Sequence, residues 1–189
     1  EIVQLTTTPG GAATLSINAA AADIKVSNFN NDSFVVENVG SKVISSIILD
    51  ATNAFYPNSV FDPFGIAGDT ISKPLQINTN GNTGIQSPTN ASYIGAGGID
   101  GYSGILLSFD PLLNGGFESG ESLGFSIDVD SNSIAGADQT ILNSGSSPSW
   151  DVGGVSGAEL IGSSFTVTFA DGSTATGQLQ SDGSQGGSI

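Results

Sequence analysis

Leu123-Gly124-Phe125-Ser126-Ile127-Asp128-Val129-Asp130 is the stretch that decides how this chain folds. Leu123, Phe125, Ile127 and Val129 fall at every second position, with Gly124, Ser126, Asp128 and Asp130 between them. A period of two puts the first set on one face of a β-strand and the second on the other, a core face and a wet face. The same signature recurs on both sides of it. Phe165, Val167 and Phe169 alternate with Ser164, Thr166 and Thr168, and Asp171-Gly172 then marks a hairpin turn before Thr174-Leu179. Ala13-Asn18, Ile24-Asn28, Ser33-Asn38, Val43-Asp50 and Ile105-Phe109 are further short segments rich in β-formers and bounded by turn residues. No window reads as a long helix, and the alanine run in Asn18-Asp23 is too short to stand alone.

Short strands without intervening helices predict an all-β fold. The expected form is an antiparallel β-sandwich, jelly-roll-like or immunoglobulin-like, with about eight to ten strands. Residues 1–180 read as a single domain, and residues 181–189, rich in Gly and Ser, as a flexible linker or tail. Three longer loops interrupt the strand pattern: Pro57 to Pro74, Asn78 to Tyr102, and Ser131 to Gly157. Loops of such length in a compact domain usually carry function.

Composition removes many chemistries. The 189 residues hold no His, Cys or Met, and the Lys+Arg count of 3 is made up by Lys25, Lys42 and Lys73. A Ser-His-Asp triad, a cysteine nucleophile, a His/Cys zinc site, haem ligation and thiol redox chemistry are therefore all excluded. A phosphate backbone needs Lys and Arg to displace its counterions, and a chain of net charge -15 repels nucleic acid. The lysine of a phosphate-binding loop is missing too. Charged residues make up only 11% of the chain, against about 25% in ordinary soluble domains. The acidity thus comes from missing bases, and Gly, Ser, Asn and Thr supply the polarity. Such a surface suits a secreted or cell-surface protein. No apolar run is long enough to span a membrane. The opening Glu1-Ile2-Val3, with no Met anywhere, reads as a processed chain or as one module of a larger multidomain protein.

Asp128-Val129-Asp130-Ser131-Asn132 sets alternating oxygen donors at a strand end, as a hard cation such as Ca2+ requires. It opens like an EF-hand loop but then departs, with Ser133 in place of the glycine and Gln139 in place of the glutamate. The competing reading is two solvent-facing carboxylates that cap a turn. Asp62 and Asp69, around Phe61-Asp62-Pro63, divide in the same way between metal ligand and Pro-defined turn. Gly95-Ala96-Gly97-Gly98-Ile99-Asp100 approaches a calcium-binding repeat, but a single copy reads as a glycine-rich loop. Glu118 and Glu121 read as solvated turn carboxylates. Trp150, Tyr93 and Tyr102 lie in the long loops, and Tyr56, just before the first of them, joins the group; such rings stack on sugars or plug the end of a sandwich. With no base or histidine to tune a carboxylate pair, no catalytic residue is assigned and the chain reads as noncatalytic.

Val60-Phe61-Asp62-Pro63 followed by Gly68-Asp69, Gly120-Glu121 leading into Phe125–Asp130, and Ser156-Gly157-Ala158-Glu159-Leu160 before Phe165–Gly172 carry a resemblance. Over residues 30–180 the chain resembles secreted bacterial β-sandwich modules, of carbohydrate-binding or adhesive type, from large surface or polysaccharide-processing proteins. The resemblance implies a noncatalytic unit and makes Asp62, Asp69, Asp128, Asp130 and Glu159 the metal candidates. The function expected is a calcium-supported carbohydrate-binding module for an extracellular polysaccharide, a neutral glycan first. The alternative is a calcium-stabilised spacer or adhesive domain of a surface protein.

Overall fold

Buried and half-buried residues alternate along Ala13–Ile17 and Ser164–Phe169, so one side of each segment has to be covered by another layer. The computed structural model describes residues 2–3, 8–17, 31–55, 59–68, 72–86, 90–131 and 160–180. In chain order the strands are β1 (Ile2–Val3), β2 (Ala13–Ile17), β3 (Phe34–Asn38), β4 (Ile44–Asp50), β5 (Ser59–Phe61) and β6 (Gln76–Asn80). They continue as β7 (Ala91–Ile94), β8 (Gly104–Ser108), β9 (Ser122–Ser126), β10 (Val129–Ser131), β11 (Ser164–Phe169) and β12 (Thr174–Gln178). Helix is confined, among the described residues, to short 3-10 turns such as Gly98–Asp100.

The strands form a 5-stranded sheet in the order β1-β2-β3-β9-β6, a second 5-stranded sheet in the order β12-β11-β4-β8-β7, and a separate β10-β5 pair. Every pairing is antiparallel. Leu15, Ile17, Phe34, Val36, Leu123 and Phe125 of the first sheet share one core with Ile47, Leu49, Ile105, Leu107, Phe165 and Val167 of the second. The fold is therefore all-β and sandwich-like. Phe34 and Phe125 are register partners on β3 and β9, with rings stacked 4.9 Å apart.

Most of the strands expected from alternation are present within a residue or two. Ile24-Asn28 and the alanine run lie largely or wholly outside the described residues, as does the 181–189 tail. Two of the expected long loops are not loops throughout: β5 and β6 fall in or overlap the first two, and β7 lies inside the second. These strands are short or polar, Gln-Ile-Asn-Thr-Asn in β6, and carry no apolar alternation that marks them. The segment quoted at the outset is also divided. β9 ends at Ser126 and its chain continues after Ile127 into a different pairing, with β5 in place of β3.

Candidate metal centre

The β5–β10 pair positions three carboxylates. Val129 stands opposite Phe61 and Asp130 opposite Val60, and the Asp62 N–H donates to the Asp128 carbonyl at 3.1 Å, which extends the ladder by one residue. Phe61 and Val129 are core residues, fully buried. A period of two therefore turns Asp62, Asp128 and Asp130 to the other side. On the far flank the Asp128 N–H donates to the Lys73 carbonyl at 3.0 Å.

That other side is not wet. Asp62 is 2% exposed and Asp128 and Asp130 are 0% exposed. The reading of Asp128 and Asp130 as solvent-facing turn caps is overturned, and the reason is the segment after β5. Pro63 fixes the exit of the chain. Asp62 Oδ1 accepts the Phe64 N–H at 3.3 Å and Oδ2 accepts the Ala67 N–H at 2.9 Å, folding residues 62–67 back on themselves. Gly68, at a φ of +55, then lies directly on the Asp130 side chain, where an added Cβ would overlap it. Gly101 seats the neighbouring loop equally closely against Val60 and Ala67.

One oxygen from each of Asp62, Asp128 and Asp130 lies within 4.8 Å of the others. At an effective dielectric of about 20, two unit charges that close repel by roughly 3 kcal/mol. Directly opposed like charges across a ladder are destabilising for the same reason. The basic residues among those described are Lys42 and Lys73. Lys42 Nζ lies 2.7 Å from Asp171 Oδ2, and a lysine offsets only one of three carboxylates. Ser126, two positions before Asp128 in the chain, has a buried hydroxyl with no hydrogen-bond partner among the described residues. The donor set is all oxygen, as hard cations prefer, and Ca2+ with about six to eight oxygen ligands suits carboxylates supplemented by hydroxyl and carbonyl oxygens.

The other candidates sort differently. Asp69, Glu159, Trp150 and Tyr56 lie outside the described residues. Glu118 and Glu121 form a surface turn in which Glu121 Oε2 accepts the Glu118 N–H at 2.7 Å. Asp100 sits exposed at the end of the Gly98–Asp100 turn.

Tyr93 and Tyr102 are brought together, ring centroids 4.9 Å apart. Tyr102 pairs through its backbone with Phe61, next to Asp62, at 2.8 and 3.0 Å. Phe64, which the sequence reading did not single out, completes an aromatic trio with centroids 5.8 Å from Tyr93 and 6.2 Å from Tyr102. Its signal was present: an aromatic between a proline and a glycine in an acidic turn has no strand in which to be buried. Burial holds the Tyr93 phenol above its ordinary range, against the pull of the Leu75 N–H that it accepts at 3.3 Å.

No known protein family, curated protein or solved structure matches the chain.

Proposed function

We propose that this chain is a noncatalytic module of a secreted or cell-surface protein, built around a calcium ion held by Asp62, Asp128 and Asp130, and that it binds an extracellular polysaccharide. The observation that carries the metal in this reading is the buried carboxylate triad, which joins the 62–68 loop to the strand end at 128–130. Three like charges in a closed site call for a cation, and the fold offers one lysine on that flank. Because the triad is closed to solvent, the ion is structural and does not bridge to a sugar. The same closure supports a noncatalytic role. Glycosidase carboxylates stand astride a bond they can reach, whereas these three are buried. Neutral glycans come first, since a net charge of -15 disfavours uronic or sulfated chains.

Thermal unfolding in calcium, in magnesium and in chelator tests the metal. Binding to the native state alone raises stability by about 2.7 kcal/mol at a hundredfold excess over Kd. The expected result is a midpoint that rises with calcium and falls on chelation, with Asp128→Asn and Asp130→Asn removing the increment. A midpoint indifferent to every divalent cation overturns the metal. The second reading, a calcium-stabilised spacer, is favoured by the burial of the triad alone. It predicts the same increment together with silence on every polysaccharide.

A further inference from the structure

We infer that Phe64, Tyr93 and Tyr102 form the sugar-contacting surface of this module, with the Phe64 ring as the stacking platform, and that the metal loop fixes that ring in place. The inference rests on the carbohydrate-binding reading above and adds to it the residues that make contact and the way the cation controls them.

Phe64 is 53% exposed although it touches two other rings. Its plane lies at 79° to Tyr93 and 71° to Tyr102, so it leans on the pair and does not stack within it. The tyrosines themselves pack against the core, and Gly97, at a φ of +69, lets the glycine-rich loop close on the Tyr102 ring. A phenyl ring supported by fixed neighbours loses little freedom on binding, which favours stacking against the C–H face of a pyranose. The occupant we assign is a sugar residue of a neutral polysaccharide. An acidic protein repels polyanions, which favours a neutral chain, and the further apolar surface these loops expose, Ile66 and Ile99, falls short of the roughly 800 Å² per partner that a stable protein interface needs.

Asp62 connects this surface to the cation. Its carboxylate belongs to the triad and also receives the backbone N–H groups of Phe64 and Ala67. Loss of the ion leaves the three carboxylates repelling one another, and the side chain that pins the Phe64 backbone is the one displaced.

The test is affinity electrophoresis of the full chain through gels containing soluble β-glucan, galactomannan or dextran, with polygalacturonate as the acidic control, each in calcium and in chelator. At least one neutral polysaccharide should retard the wild type in calcium. Phe64→Ala should weaken that retardation at least tenfold while leaving the calcium increment in melting temperature intact. Phe64→Trp should keep the retardation. Phe64→Leu, which fills the same space without a π face, should not, and this separates stacking from packing. Chelator should weaken the retardation of the wild type, and Asp130→Asn should be retarded less than the wild type, at a temperature where each chain is still folded. Retardation unchanged in Phe64→Ala or Phe64→Leu overturns the platform while the carbohydrate reading stands. Retardation that is unaffected by chelator while the chain is folded overturns the metal control. No retardation of the wild type in any gel, with the calcium increment intact, overturns the carbohydrate reading and this inference together. Sedimentation that shows a dimer dispersed by Phe64→Ala assigns the patch to a second copy of the chain and overturns the inference as well.

Discussion

At the scale of single residues, the site depends on atoms that are missing as much as on those present. Gly68 combines a φ of +55 with direct contact on Asp130, so Gly68→Ala incurs both backbone strain and a clash. Where the native φ is incompatible with a side chain, such a change destabilises by more than about 1 kcal/mol. We expect thermal unfolding to show that loss together with a smaller calcium increment, because the clash falls on Asp130, one of the three carboxylates proposed to hold the ion. Tyr93 gives a pH signature. Burial raises its folded pKa above the ordinary tyrosine value of about 10, so above about pH 10 the unfolded chain releases the proton first and binds fewer protons than the native state. Stability therefore falls as pH rises beyond that point. A melting temperature that is flat from about pH 7 to 9 and declines above 10 is expected, with a shallower decline in Tyr93→Phe. Asp128 and Asp130 were legible as an oxygen-donor pattern, and Tyr93 and Tyr102 as loop aromatics. Their burial and proximity were not. What covers the carboxylates is the 62–68 segment, far away in sequence, and no local pattern records a contact of that range.

At the scale of elements, Asn38 shows how one side chain holds a junction. It ends β3 fully buried, with Nδ2 donating to the carbonyls of Lys42 and Phe117 at 2.9 Å each, while Oδ1 accepts the Gly40 N–H at 3.2 Å. It thereby fixes the turn into β4 and the turn ahead of β9, one in each sheet. Asn38→Leu would remove all three of these hydrogen bonds, leaving the Phe117 carbonyl only the Ile44 N–H at 3.0 Å, and each bond lost costs about 0.5–1.5 kcal/mol. The expected outcome in urea is a lower midpoint with an unchanged m-value, the mark of lost stability in an otherwise intact fold. Elements with apolar alternation were read correctly from the sequence for a physical reason: β2, β3, β4 and β11 each bury one face. β6 is half-buried at best along its length and takes its place from backbone pairing with β9, which leaves no trace in side-chain periodicity. β10 was hidden differently. Its alternation continues that of β9 without a break, and only the exchange of partners separates them.

For the whole molecule, net charge -15 on 189 residues acts against compactness through self-repulsion. Screening relieves it as the Debye length falls from about 30 Å at 0.01 M salt to about 8 Å at 0.15 M. With chelator present throughout, sodium chloride over that range should raise the melting temperature by a few degrees. A flat response would mean that the carboxylates are already neutralised within the fold. The connectivity has a separate consequence, for the order of assembly. β4 lies between β8 and β11, and β3 between β2 and β9, so the middle of each sheet is laid down early in the chain and completed late. Such long-range pairing is slow to find. On a ribosome moving at about 5–20 residues per second, the open edge of β4 waits on the order of ten seconds for β11 to emerge. A chain stopped before Ser164 would keep that edge open for good, which makes it a template for aggregation and not a smaller working domain.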